Sequence, residues 1–351
     1  MIHDVIVVGG GISGLTLARE LQTHGCAPLV LERARGVGGR CATRRIDGQP
    51  VDHGVAYLHG RALRFLAELD AVRDAVAIPG WPTVREGSGV PCQPEAFDGR
   101  DRRIAFVEGV SRLAKHLSRE VPVRLEANVA ALRSAVDPAP PAEQGWELTL
   151  TSGESLRAST VALAIPAPSA LALLRRMAPP PAAIAALLPL LEMVRMLPCL
   201  TMIARYPVGV PAPSWEASFP GSSIALHTIL NDSSKRTGGS RLTLVVQARP
   251  GFSRAHLDDS AESWTRTLLD EAAVLHGAWV ARPELVQSHI WRNARVAAGA
   301  ELARPPVVKL DDGTLLGIAG DGFHEAGGVE GAYLSGIALA ARLREMLPGR
   351  M

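Results

Sequence analysis

What this sequence lacks narrows its function sooner than what it contains. It lacks charge of one sign: 37 basic against 35 acidic residues leave a net charge of +2. The bases are scattered and nearly all arginine, with lysine only at Lys115, Lys235 and Lys309. No basic patch points to nucleic acid, and none is expected as a partner. Cysteine is scarce, and Cys26, Cys41, Cys92 and Cys199 show no C-x-x-C spacing, so no metal site is expected. Four scattered thiols read as reduced cysteines of a cytoplasmic protein, not as a disulfide framework. Long apolar runs are missing too. No stretch reaches 18 apolar residues, so no membrane span is expected. The Ala/Leu/Pro-rich segment 162–200 comes nearest. Pro166, Pro168, Pro179, Pro180, Pro181, Pro189 and Arg175–Arg176 break it into what reads as short helices and turns. The amino terminus carries His3–Asp4 where a signal peptide has a basic leader, and glycines interrupt it. No internal repeat is evident.

What is present is an ordinary globular composition, 47% hydrophobic and 21% charged, over 351 residues. That length suits one large or two moderate domains. The informative stretch is Asp4–Gly14, an apolar strand running into Gly9, Gly10 and Gly11, then Ile12, Ser13 and Gly14. Gly9, Gly11 and Gly14 give G-x-G-x-x-G, and Leu15, Ala18 and Leu21 continue at helical spacing to Gly25. Pro28–Leu31 is a second strand, and Glu32 ends it. The motif thus sits in a strand–turn–helix–strand context ending in an acid. There the amides of residues 11–14 can meet a pyrophosphate at the helix amino terminus, and Glu32 can accept from a ribose. A dinucleotide is expected, and NAD and FAD both remain open at this point.

A second glycine cluster follows in Arg33–Arg40, with Gly38, Gly39 and Arg40 suited to a further phosphate. Taken together, these motifs resemble the flavin amine oxidase and phytoene desaturase group, where G-x-G-x-x-G, an acid and R-x-x-G-G-R occur in that order. The resemblance implies FAD, with Arg33, Gly38, Gly39 and Arg40 along its pyrophosphate and ribityl chain. It also implies that the segment Asp52–Tyr57 places Gly54, Val55 and Ala56 beside the flavin ring, with His53 and Ala56 departing from the commonest residues. It assigns Val129 to the adenine. Near the carboxyl end, the apolar run Leu315–Ala319 leads into Gly320 and Asp321, and Gly328 and Val329 open an Ala/Leu-rich helix. In the group, the Gly–Asp pair holds the ribityl chain and the following glycines offer amides to the flavin pyrimidine. A long dinucleotide needs such a second clamp, which favours FAD over NAD as the tightly held cofactor.

The expected fold class is α/β: a Rossmann-type FAD domain interleaved with a smaller α+β substrate domain on an antiparallel sheet. The FAD domain takes 1–75, 100–165 and 290–351, and the substrate domain 76–99 and 166–289. Strands are expected at Glu147–Thr151, Val161–Ile165, Leu200–Ala204, Ile224–Leu230 and Leu242–Gln247. Helices are expected around Leu63, Leu66 and Leu69 and within Asp258–His276, and a hairpin loop at Asp137–Pro141.

Three features depart from typical amine oxidases. Gly328 stands at an aromatic position, no lysine matches the flavin-side lysine, and no cysteine follows Cys199. The last implies non-covalent FAD. A closer resemblance is to the renalase family, carried by Ile290–Val296, with its Trp291–Arg292 pair, and by Ala319–Phe323. It implies hydride transfer from 2- or 6-dihydro isomers of NAD(P)H to flavin N5, with O2 as acceptor and H2O2 as product. Substrate-orienting residues are then expected at Tyr57, Trp291 and Arg292, with His59, His227 and His324 behind them. Two alternatives stand beside this: an FAD-dependent amine oxidase or desaturase acting on a small intermediate, and a non-catalytic flavin-binding module. The oligomeric state is not legible.

Overall fold

In the computed structural model, residues 2–86, 97, 99–135, 145–177, 179–238 and 241–346 are described. The chain divides into two compact units, Met1–Gly39, Leu113–Met196 and Arg295–Met351 against Arg40–Arg112 and Leu197–Ala294.

The first unit is built on an eight-stranded mixed sheet. Ile2–Val8 lies at its centre, parallel to Pro28–Leu31 on one side and to Ser155–Leu163 on the other. Val123–Arg124 extends the sheet beyond Pro28–Leu31, and Leu315–Ile318 extends it beyond Ser155–Leu163, both parallel. Alternation sorts each strand between two cores. Val5, Val7 and Val30 join Leu17, Ala18 and Leu21 of the helix Ile12–Gln22 and Leu339 and Leu343 of the helix Gly328–Met346. Ile6, Val8 and Leu31 face the other core, which the helices Ala167–Leu174 and Ala182–Met193 close with Ala170, Leu187 and Leu191. Helices on both faces explain why these strands are apolar throughout. The proline-broken segment does form two short helices, each with proline as its N-cap (Pro166 and Pro181), before a strand begins at Met196.

An antiparallel ribbon, Val129–Ala135 with Gly145–Leu150, covers the first half of Ser155–Leu163. Its expected connection at 137–141 lies outside the described residues. Trp146 Nε1 donates to Leu315 O at 2.9 Å and ties the ribbon to the parallel strands.

The second unit centres on a six-stranded sheet in the order Leu285–Val296, Met196–Arg205, Thr243–Ala248, Leu226–Asn231, Ala217–Ser218, Arg85–Glu86. Its central pairs are antiparallel, as expected, and the last is parallel. The helix Ala261–His276 starts at Ser260, whose Oγ accepts from Ser263 N, and buries Trp264, Leu268 and Ala272 against this sheet. A hairpin, Thr43–Ile46 with Gln49–Asp52, and a three-stranded sheet of Leu58–Gly60, Arg102–Phe106 and Ala77–Pro79 complete the unit.

Two expectations need adjusting. The helix Leu63–Asp70 turns Phe65 and Leu69 inward and leaves Leu63 84% exposed, so its apolar stripe begins two residues later than the leucine spacing suggests. The compact units divide at Gly39/Arg40, Arg112/Leu113, Met196/Leu197 and Ala294/Arg295, whereas the sequence suggests 75/76 with 99/100, 165/166 and 289/290, so that 166–196 falls in the first unit. Residues 40–75 belong to the second unit because Asp52 is bonded to Lys235 and Arg236 there.

Candidate functional site

Four parallel strands of the first unit end level with one another, since Val8 pairs with Leu31 and Leu163, and Leu163 with Ile318. Ligands of doubly wound sheets bind at such carboxyl ends. Here the glycine motif, Glu32 and Gly320–Asp321 all emerge from that edge. Gly9 has φ +110°, and a Cβ on Gly14 would stand 2.0 Å from Gly9 O, so the strand-to-helix turn closes only without side chains. Gly11 is different: a Cβ there would meet nothing within 4 Å. Its missing side chain leaves open space at the amino terminus of the helix Ile12–Gln22. No side chain caps that helix, and its first bond is Leu15 N to Gly11 O, so the amides before it have no intrahelical partner. Ser13 is 5% exposed, and its Oγ has no hydrogen-bond partner. Uncapped amides, an orphaned hydroxyl and an open cradle fit a pyrophosphate.

Gly38 N donates to Gly10 O at 2.8 Å, and Gly11 and Gly38 form a parallel bridge, so the second glycine cluster lies against the first. Gly39 also has positive φ, while Arg33 is exposed. Glu32, 8% exposed, accepts from Gly10 N at 2.7 Å through Oε2 and from Ala34 N at 2.8 Å through Oε1. Each oxygen keeps a lone pair for a further donor. The segment leading to Val129 runs alongside, through Ala127 N to Glu32 O and Glu126 N to Ala34 O. Gly320 N donates to Ser335 Oγ at 3.1 Å, and Asp321, 5% exposed, opens a 3-10 turn before the half-buried Gly328 and Val329. The helix Gly328–Met346 approaches the first helix so closely that a Cβ on Gly336 would lie 2.6 Å from Ser13 O.

The second unit fixes the irregular segment His53–Tyr57 with side chains. Trp291 Nε1 donates to His53 O at 3.1 Å, and Gln247 Nε2 to Gly54 O at 2.6 Å. Lys235 Nζ donates to Ala56 O at 2.9 Å. Val55 N donates to Arg40 O, and a Cβ on Gly54 would stand 2.2 Å from that oxygen and 3.0 Å from the Trp291 ring. Tyr57 is buried beside Trp81, ring centroids 5.9 Å apart. Trp291 is therefore brought to the Gly54 segment. Arg292 is not: it occupies the opposite face of its strand, exposed and 3.6 Å from Asp258. His59 Nδ1 lies 3.1 Å from Asp101, half-buried His227 lies on Leu226–Asn231, and His324 Nδ1 accepts from Ala326 N in its own turn.

Sequence reading missed four contributors in this unit. His289 packs 4.1 Å from Trp291 and 5.1 Å from His53, ring centroid to centroid. Arg44 Nη1 donates to Gln287, which shares a strand face with His289 and Trp291. Their i, i+2 spacing was a readable signal. Burial, with the Arg44 charge behind it, pushes the His53 imidazole down to about 4 and also lowers His289, leaving both neutral at pH 7. The fourth contributor is Lys235. Its surroundings read as a polar loop, yet it is fully buried among Asp52, Asp232 and Trp81. Burial alone would raise Asp52, but the Lys235 and Arg236 charges outweigh it and hold the carboxyl below its ordinary value.

Comparison with known proteins matches residues 7–69 to a NAD(P)-binding Rossmann-like domain and residues 80–344 to the flavin containing amine oxidoreductases. Nicotine dehydrogenase of Pseudomonas putida is 36% identical over 111 residues, 30% of this chain and 23% of its own length. The (S)-6-hydroxynicotine oxidase of Paenarthrobacter nicotinovorans is 45% identical over 73 residues, 20% of this chain and 17% of its own. The chain thus matches less than a quarter of either relative's length. Among solved structures, a putrescine oxidase redesigned in its cofactor binding superposes with a TM-score of 0.70 at 16% identity, covering 98% of this chain and 99% of its own. Cyclohexylamine oxidase from Brevibacterium oxydans IH-35A gives 0.68 at 16%, over 98% and 99%. At these identities the likeness is one of fold.

Proposed function

This chain belongs to the flavin containing amine oxidoreductase family and is an FAD-dependent oxidoreductase, and we propose that it oxidises a small amine at the carbon next to nitrogen. The match over residues 80–344 carries this reading. When bound, FAD supplies the acceptor for that carbon's hydride, and O2 is the proposed final oxidant, giving H2O2. The amides of Gly11, Ile12, Ser13 and Gly14 hold the pyrophosphate, Glu32 the adenosine ribose, and Val129 borders the adenine. Gly38, Gly39 and Arg40 form the second clamp, and Gly320, Asp321, Gly328 and Val329 serve the ribityl chain and pyrimidine end. Gly54, Val55 and Ala56 flank the ring, with Tyr57 and Trp291 orienting substrate. No role is proposed for the exposed Arg33 and Arg292. No cysteine follows Cys199 to form a carboxyl-terminal thioether, and the FAD is proposed to be held non-covalently.

An amine must shed its proton before hydride leaves the neighbouring carbon. Burial and the Arg44 charge, which already depress His53 and His289, would depress a substrate ammonium in the same surroundings. The site thereby selects the neutral amine without a dedicated base. A cytoplasmic placement is proposed. No described helix is long and apolar enough to cross a membrane.

A second reading, oxidation of 2- and 6-dihydro isomers of NAD(P)H, is favoured by Gly328 at the aromatic position and by Arg44, which could pair with a substrate phosphate. Anaerobic mixing separates the two. Bleaching of the flavin by nicotine, putrescine or cyclohexylamine supports the amine reading, and bleaching by aged, isomer-containing NADH alone replaces it with the second.

A further inference from the structure

The four ionic groups Asp52, Asp232, Lys235 and Arg236 are at most 3% exposed in their side chains. Their charges cancel. Asp52 Oδ2 accepts from Lys235 Nζ at 2.6 Å and Arg236 Nη2 at 3.0 Å, while its Oδ1 accepts from Thr43 Oγ1 and Val110 N. Asp232 accepts from Lys235 at 2.6 Å, from Arg236 at 2.7 Å and from Asp52 N at 3.2 Å. An ammonium has three N–H donors. Lys235 spends two on the carboxylates, which completes the charge balance, and aims the third at the backbone carbonyl of Ala56. Its position is further set by the Trp81 ring, whose centroid lies 4.6 Å from Nζ.

The network therefore grips Asp52–Ala56 at both ends: Asp52 by its carboxylate and amide, Ala56 by its carbonyl. Between them the carbonyls of His53 and Gly54 are held by Trp291 and Gln247. Residues 53–56 belong to no helix or strand, so side chains supply the constraint that a ladder would otherwise give. We propose that Lys235 is a positioning residue for the flavin ring, setting the path of Gly54–Ala56 through the Ala56 carbonyl. The inference rests on the reading that this segment flanks the ring, and it concerns cofactor placement, not the choice of substrate.

Removing Lys235 alone leaves buried carboxylate charge uncompensated and can unfold the protein. The paired variant Asp232→Asn with Lys235→Met removes one charge of each sign and keeps the Asp52–Arg236 pair. Four quantities are measured on the full chain: melting of the apoprotein, affinity for ADP, affinity for FAD, and the visible spectrum of bound flavin. ADP lacks the ribityl chain and flavin ring and reports the adenosine and pyrophosphate sites. The proposal expects apoprotein melting and ADP affinity near wild type, FAD affinity lowered about tenfold or more, and a flavin band shifted or less resolved. Unchanged FAD affinity and spectrum would overturn it. So would loss of folding or a parallel loss of ADP binding, because either makes the network a structural support and nothing finer. Failure of wild-type protein to bind FAD would instead strike the underlying reading, and the two failures are told apart by that control.

Discussion

Gly11 and Gly14 sit within one helical turn and are glycine for opposite reasons. A Cβ on Gly14 collides with Gly9 O, whereas one on Gly11 projects into open space. Gly14→Ala is therefore expected to destabilise the fold itself by about 1–3 kcal/mol or more, read in thermal melting of the apoprotein. Gly11→Val should melt like wild type, since its backbone is extended at φ −78°, yet purify without flavin. Flavin retained at full occupancy in that variant would remove the pyrophosphate assignment. His53 sets a pH dependence. Its folded value of about 4 lies below the ordinary 6.5, so the unfolded chain binds the proton more readily between those values. The neutral form's contribution is complete above pH 6.5 and is lost as pH falls towards 4, on the order of 3 kcal/mol. Stability of His53→Phe, measured by denaturant titration from pH 7 to 4, should fall less steeply than wild type. At this scale the sequence showed the glycines and Glu32, because the motif is local and its spacing carries the geometry. It hid Lys235, because a lysine among Asn231, Asp232, Ser233 and Ser234 looks solvated until Asp52, 183 positions away, arrives to pair with it.

Among elements, the strands of the parallel sheet were legible from their unbroken apolar runs, and those of the antiparallel sheet from short apolar stretches between polar segments. Their neighbours across the sheet were not, since Ser155–Leu163 divides one edge between Gly145–Leu150 and Leu315–Ile318 and nothing local announces it. The Trp291–Arg292 pair drew notice as a unit, but a strand sends adjacent side chains to opposite faces. Read at a period of two, the same strand aligns Gln287, His289 and Trp291. The most exacting helix contact is that of Gly328–Met346 on Ile12–Gln22, where Gly336 leaves no room beside Ser13 O. Gly336→Val should force the helices apart and displace the Ser13 turn. The expected outcome is lower melting together with weakened ADP binding, both measurable on apoprotein. Loss of stability with unchanged ADP affinity would separate that packing from the cradle.

For the molecule as a whole, a ligand that binds only the folded chain stabilises it by mass action, about 2.7 kcal/mol at a hundredfold excess over Kd. FAD should accordingly raise the melting temperature of wild-type protein in a concentration-dependent way, and should leave Gly11→Val unmoved. The motifs at both ends of the chain pointed to FAD from sequence alone, because a long cofactor needs clamps far apart in the chain. Substrate choice was less legible, since the side chains proposed to govern it, Arg44, His53 and His289, gather only in the folded second unit. The most direct test is anaerobic mixing of the yellow holoprotein with nicotine, putrescine and cyclohexylamine while its visible absorbance is followed. Bleaching by at least one of them, with colour and H2O2 returning on admission of air, is the predicted result. A flavin that stays oxidised with every amine, and is reduced only by isomeric dihydronicotinamides or by nothing at all, would contradict it.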